Sequence, residues 1–134
     1  MELSHVVCEY LEPERIVPAV GQGALGIETR AADAFTNEMV ASLAHQETMT
    51  IVSAERAFLK RLEGGCQVPI GAHATMEGDT LILTGMVAVL EGVRLIRNEL
   101  RGDAQQAEVV GERLAGVILE AGGAEILAEL YDNQ

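Results

Sequence analysis

The chain has 134 residues, the size of one ordinary domain or of one domain with a piece of another. Apolar residues make up 49% of it, enough for a hydrophobic core, and aromatic residues only 3%, so the core must consist mainly of aliphatic side chains. The formal net charge of −12 argues against nucleic acid and anionic membrane surfaces as partners, because both are polyanions.

The few cysteines and histidines, and the lack of long apolar runs, limit the class of protein further. The first residues lack the basic and apolar regions of a secretory signal, and no apolar run approaches the roughly 18 residues of a membrane span. These features predict a cytoplasmic location, in which Cys8 and Cys66 stay free thiols. His5, His45 and His73 lack metal-ligand spacing, so no metal site is predicted.

Two short strands joined by a glycine-rich segment are predicted first. The letters HVVCEY at residues 5–10 predict a strand, and a second strand is expected near residues 25–28. Between them, Pro18 and three glycines crowd into nine positions, which predicts an extended crossing rather than a regular element.

A helix is predicted next, at residues 31–45, with Asp33 as its N-cap. Phe35, Met39 and Leu43 lie on its apolar face, together with Val40. Two strands, a crossing and one helix do not close a core by themselves. We therefore interpret residues 1–43 as part of a larger, incomplete α/β unit.

The pattern of residues 44–134 predicts the element order α-β-β-β-α-α. Hairpin-linked strands with helices to bury one face predict an α+β domain, in which a three-stranded antiparallel sheet is covered on one side. The predicted elements are a helix at 47–65, strands at 68–76, 80–90 and 93–102, and helices at 103–123 and 124–131. The predicted core contains Phe58, Leu62, Leu83, Val87, Leu114 and Ile118.

Cys66 follows Gly64 and Gly65 at the junction of a helix and a strand. An activated nucleophile is disfavoured there, because the negative end of the helix dipole opposes a thiolate and no base is adjacent. A thiol used once, as a permanent attachment point, needs only access and room, which the flanking glycines and the loop position supply. The alternative is a buried structural cysteine that acts as a small apolar side chain.

Two other groups of residues are candidates for ligand contact. Gln22, within the run GQGALG, can hydrogen-bond a polar ligand or simply tie down its loop; the run matches no phosphate-binding pattern. Arg94, Arg97 and Arg101 are spaced by three or four residues, and we expect them to balance the acidic surface rather than to bind an anion.

Three stretches resemble one family. They are VPAVGQGALGIETR, AERAFLKRLEGGCQVPIGAHA and EILAELY, and they resemble the C-terminal portion of porphobilinogen deaminase, also called hydroxymethylbilane synthase, from about Pro18 to Tyr131. The cysteine motif is the most specific of the three. The resemblance implies a transferase of tetrapyrrole and haem biosynthesis, which condenses four porphobilinogen molecules into a linear tetrapyrrole with release of ammonia.

The resemblance also implies roles for particular residues. Cys66 matches the cysteine that holds a dipyrromethane cofactor through a thioether, and Gln22 and Gly65 match positions close to the cofactor or the bound polypyrrole. Residues 18–23 match a hinge crossing, residues 1–43 a remnant of the α/β domains, and residues 44–134 the C-terminal domain. The family's catalytic groups lie in its N-terminal portion, so the resemblance places none in this chain.

The chain departs from the family pattern in lacking a match to the family's N-terminal portion. The resemblance implies that the chain alone is inactive, that Cys66 can be unmodified, and that the N-terminal domains are its partners. We expect residues 1–43 to expose apolar surface and to favour self-association. The rival hypothesis is a non-catalytic α+β ligand-binding or interaction module with a structural Cys66; a thiol-redox protein is disfavoured, because no second cysteine lies near Cys66.

Overall fold

The computed structural model describes residues 6–62, 69–90 and 92–132. Its regular elements follow the predicted order. They are helices α1 (Ala34–Ala41) and α2 (Gln46–Arg61), strands β1 (Ile70–Glu77), β2 (Thr80–Ala88) and β3 (Leu95–Asp103), and helices α3 (Ala107–Ile118) and α4 (Ala124–Asp132). The predicted α-β-β-β-α-α succession is confirmed. No helix in this described part of the chain is long and apolar enough to cross a membrane.

The three strands form one antiparallel sheet in the order β1-β2-β3. The register aligns Ala74 of β1 with Leu83 of β2, and Leu83 with Leu100 of β3. Gly78 adopts a φ of +60° in the first hairpin turn, a left-handed conformation that glycine tolerates without steric cost. The predicted antiparallel α+β sheet is therefore confirmed.

Helices α2, α3 and α4 cover one face of the sheet and form the core with it. All six core residues predicted from the sequence are buried, each with a relative exposure of 2% or less. Gly85 of β2 allows α2 to pack closely on the sheet, because a Cβ built there would lie 2.5 Å from Cζ of Phe58. Aliphatic side chains supply most of the remaining core, as the composition predicts.

The opposite face of the sheet contacts the segment that precedes α1. The Arg97 side chain of β3 donates a hydrogen bond to the backbone carbonyl of Glu14. Further along, a Cβ built on Gly71 of β1 would lie 3.1 Å from the Val17 carbonyl oxygen and 3.0 Å from that of Pro18. Residues 14–18 therefore run across this face, and Val17 is buried there.

The strands predicted before α1 are wrong. Residues 6–10 and 24–30 adopt no strand structure, because no described strand lies beside them to complete a hydrogen-bonded ladder. Helix α1 is shorter than predicted and has no buried residue; Phe35 and Leu43 of the predicted apolar face are 76% and 70% exposed. The described part of residues 1–43 thus contains one helix and much exposed apolar surface.

The region predicted as two helices, at 103–123 and 124–131, divides into several pieces. Asp103 caps a short 3₁₀ turn at Ala104–Gln106, α3 follows, and a π-helical turn at Leu119–Gly123 joins α3 to α4. Gly122 has a φ of +104° in that turn, a left-handed conformation that interrupts the helix next to the predicted boundary between residues 123 and 124.

The N-cap of α1 is confirmed and gives a pH-dependent prediction. Asp33 accepts a hydrogen bond from the Thr36 backbone N–H at 3.1 Å and another from the Thr36 hydroxyl at 2.8 Å. These bonds, the backbone one above all, lower the pKa of Asp33 from its ordinary value. The cap is therefore fully effective above the unfolded pKa of about 3.9 and is lost as the pH falls through the lower folded pKa.

We expect the Thr36 amide resonance to titrate with a midpoint below that ordinary value, measured by NMR between pH 2 and pH 6. Asn caps helices as well as Asp does but does not ionise in this range, so Asp33→Asn should keep α1 and abolish the titration. A midpoint at or above the ordinary aspartate pKa would contradict the assignment.

Candidate functional site

The thiol singled out from the sequence lies in the connection between α2 and β1. Cys66 and Gly65 fall in residues 63–68, outside the described residues, and the residues on either side of this range are described. Before it, Leu62 is buried and its N–H donates to the Phe58 carbonyl at 3.2 Å. After it, the Pro69 carbonyl accepts a hydrogen bond from the Ala88 N–H at 3.0 Å. The connection therefore begins and ends on residues held by the core domain.

Gln22 lies in two overlapping turns. Its N–H donates to the Ala19 carbonyl at 3.0 Å, and the Ala24 N–H donates to the Gly21 carbonyl at 3.1 Å. Gly21 and Gly23 have φ values of +69° and +85°, which residues with a side chain rarely adopt. The glycines on both sides let the chain reverse tightly, and the Gln22 side chain is left exposed.

A buried carboxylate ties this turn to the core domain. Glu55, in the middle of α2, is only 4% exposed. Its Oε2 accepts a hydrogen bond from the Gly21 N–H at 2.7 Å, and its Oε1 accepts one from the Ala74 N–H at 2.9 Å. One side chain thus bridges the Gln22 turn and the edge strand β1 with charge-assisted hydrogen bonds.

The crossing also supplies a backbone partner for β1. The Ala72 N–H donates to the Pro18 carbonyl at 3.1 Å, on the edge of β1 that faces away from β2. Since N–H groups on one edge of a strand recur at every second residue, Ala72 and Ala74 present consecutive donors there. Pro18 satisfies the first and Glu55 the second, so this part of the β1 edge is covered rather than open.

Glu55 was not among the residues selected from the sequence, although a signal was present. It stands four residues after Ile51 and three before Phe58, on the face of α2 that packs against the core. A charged residue at an apolar position of the helical period predicts either a buried ion pair or a buried hydrogen-bonded carboxylate. Glu55 belongs to no sequence motif, so only its place in the helical period marks it.

Two of the three arginines considered in the sequence form ion pairs. Arg94 pairs with Glu129, and Arg101 lies 3.2 Å from Glu77, so these two arginines balance acidic residues as predicted. Cys8 is a free, exposed thiol. Within residues 6–62, 69–90 and 92–132, no three His, Cys, Asp or Glu side chains are grouped so as to hold a metal ion.

Two models of known protein families match this chain. The family model described as "Porphobilinogen deaminase, C-terminal domain" matches residues 49–120, more than half of the chain. The chain belongs to the porphobilinogen deaminase family. A second model, described as "Porphobilinogen deaminase, dipyromethane cofactor binding domain", matches residues 1–38. The resemblance noted in the three sequence stretches is confirmed.

Curated relatives named porphobilinogen deaminase match almost the whole chain. The protein of Pelobacter propionicus is 46% identical over 98% of this chain and 43% of its own length. That of Synechococcus sp. (strain RCC307) is 53% identical over 92% of this chain and 39% of its own length, and that of Trichlorobacter lovleyi is 47% identical over 96% and 41%. The chain therefore spans about two-fifths of the length of these relatives.

The two family models divide the site between them. Gln22 lies in the part matched by the cofactor-binding model, whereas Glu55 and Cys66 lie in the part matched by the C-terminal model. The hydrogen bond from the Gly21 N–H to Glu55 crosses between these two parts. The structure thus joins the Gln22 turn to the two elements that flank the cysteine, α2 and β1.

Proposed function

We propose that this chain is the cofactor-anchoring part of a porphobilinogen deaminase, a cytoplasmic transferase that condenses four porphobilinogen molecules into hydroxymethylbilane with release of ammonia. Cys66 is proposed to hold a dipyrromethane cofactor through a thioether, with Gly65 and Gln22 beside it. One observation carries the proposal: the turn that bears Gln22 docks on α2 and β1, the two elements joined by the segment with Cys66.

The residues present suit such a group. The exposed Gln22 amide offers a carbonyl acceptor to a pyrrole N–H and an NH₂ donor to a carboxylate. Glycine beside Cys66 leaves room for a bulky adduct on the sulfur. When bound, the dipyrromethane supplies the end from which the pyrrole chain grows. We propose that this chain holds that end through Cys66 and orients it with Gln22.

The net charge supports the proposal that another part of the enzyme supplies the cationic groups. Each pyrrole unit carries two carboxylates, so a polypyrrole requires cationic partners. This chain has a net charge of −12, and Arg94 and Arg101 are already engaged with acidic side chains. We propose that the cations and the proton-handling groups come from the part of the relatives that this chain does not cover, and that the chain alone does not turn over.

We propose that residues 44–134 form the C-terminal domain and that residues 1–43, with the hinge crossing at 18–23, belong to the enzyme's other domains. In support, α1 has no buried residue, and Leu25, Ile27 and Met49 are at least 53% exposed around a cavity of about 600 Å³. In the full enzyme this surface is proposed to be covered; in isolation it is proposed to favour self-association.

Intact mass tests the proposed function. The chain is co-expressed with the part of the Pelobacter propionicus relative that it does not cover, purified as a complex, and stained with an aldehyde reagent for pyrroles. We expect a dipyrrole-sized mass increase on this chain, a positive stain and ammonia release from porphobilinogen; the chain expressed alone should give none of these. An active complex in which this chain is unmodified would refute the anchor and favour a non-catalytic module.

A further inference from the structure

We propose that Glu55 is a positioning residue for the ligand contact made by Gln22. Its two carboxylate oxygens hold the Gln22 turn against β1, so the position of the Gln22 amide depends on the ionised Glu55 side chain. This inference rests on the proposed function, because it assumes that Gln22 contacts the bound pyrrole. It assigns to Glu55 no contact with the substrate itself.

The two hydrogen bonds connect segments that are far apart in sequence. Gly21 precedes Glu55 by 34 residues and Ala74 follows it by 19, and the three meet at a single buried carboxylate. Gly21 is the immediate neighbour of Gln22, so a shift in the first bond moves the Gln22 backbone directly. The second bond ties the same carboxylate to β1, the strand that begins just after the cysteine segment. The Gln22 backbone is therefore held relative to β1.

The chemistry of a carboxylate suits this task better than that of any other side chain. Two N–H donors converge on Glu55, and an ionised carboxylate is acceptor-only, with two oxygens. A glutamine of the same length offers one oxygen and places an NH₂ group against the other N–H donor. Because Glu55 is buried, a donor that loses its partner there is not readily hydrated. A neutral isostere therefore breaks one bond without removing the side chain.

The neighbouring backbone makes the turn depend on this bond. Gly21 and Gly23 have left-handed φ values and minimal side chains, so the turn has great conformational freedom when it is not held. The Pro18 bond to Ala72 fixes the start of the crossing, but Gln22 lies beyond it. Glu55 is the described side chain that fixes the crossing next to Gln22.

Amide hydrogen exchange on the 134-residue chain tests whether the two hydrogen bonds to Glu55 hold the Gln22 turn against β1. We call this pair of bonds the Glu55 clamp. We expect Glu55→Gln to accelerate exchange of the Gly21 or Ala74 amide by roughly 10-fold or more, with little change in the β2–β3 ladder amides. Glu47→Gln is the control, because it removes the same charge from an exposed position of α2. Equal acceleration of the ladder amides, or no change at Gly21 and Ala74, would show that Glu55 has no specific role in the turn.

A double-mutant cycle tests the positioning role in the co-expressed complex. If Glu55 acts through Gln22, the loss of kcat/KM caused by Gln22→Ala should be several-fold smaller when Glu55→Gln is already present. Additive effects would overturn the inference, since a residue that only stabilises the domain gives additivity. A wild-type complex without a dipyrrole would refute the proposed function, and with it the proposed ligand contact of Gln22. The hydrogen-exchange experiment would still decide whether the Glu55 clamp exists.

Discussion

Replacement of Cys66 by serine is expected to abolish covalent attachment of the dipyrrole to this chain. A thioether forms because sulfur is a strong nucleophile, even as a fractionally ionised thiol, whereas a serine hydroxyl without an adjacent base is a weak one. The substitution is nearly isosteric, so the fold should persist. In the co-expressed complex, Cys66→Ser should lack the mass increase and the aldehyde stain, and ammonia release should fall to background.

Cys8 provides the matched control, because it is an exposed free thiol of the same chain. Cys8→Ser should retain the mass increase, the stain and the activity. Urea titration of both variants would show that their folded fractions are equal. Loss of the adduct in Cys8→Ser, or its persistence in Cys66→Ser, would contradict the assignment of the anchor.

The C-terminal part of the fold was predictable because its local signals agree with its packing. The period of the apolar residues in α2 and α3 selects Phe58, Leu114 and Ile118, and these are fully buried. Glycine in a short polar turn, as at Gly78, marks a hairpin and sets the register of its strands. Each such signal acts over a few residues, so one sequence is enough to reveal it.

The two strand predictions in the N-terminal part failed because a strand depends on a partner that local sequence does not specify. Residues 6–10 have the composition of a strand, but Val6 and Val7 are 59% and 46% exposed and pair with no described strand. The same holds for Leu25, which is 97% exposed. Their apolar character supports the proposal that this surface is covered in a larger molecule, but it does not reveal which segment would cover it.

The candidate site shows the same difference between local and distant information. Cys66 and Gln22 could be selected from motifs and family resemblance, and their roles stay predictions. Glu55 could not be selected in that way, because its two partners, Gly21 and Ala74, become neighbours only when the crossing folds onto β1. A carboxylate at an apolar helix position raises the question of a partner, but only the tertiary structure identifies two backbone amides as the answer.

Helices α2 and α3 pack closely at Gly111, which yields the largest stability prediction. A Cβ built on Gly111 would lie 2.2 Å from the Ala54 carbonyl oxygen and 2.9 Å from the Phe58 backbone nitrogen. Backbone atoms in the middle of a helix cannot move aside as a flexible side chain does, so the two helices must separate. Overpacking of this kind costs about 3 kcal/mol, and the gain in helix propensity from Gly to Ala returns only about 1 kcal/mol.

Gly111→Ala should therefore lower the free energy of unfolding by about 2 kcal/mol, measured by urea titration followed by circular dichroism. Gly116 is the matched control in the same helix, because apart from its chain neighbours and the adjoining helix backbone no described atom lies within 4 Å of a Cβ built there. Gly116→Ala should raise the free energy of unfolding by up to about 1 kcal/mol, since only the propensity changes. The two alanine variants should thus shift the urea midpoint in opposite directions. Equal shifts would mean that the contact between α2 and α3 is looser in solution than the structure describes.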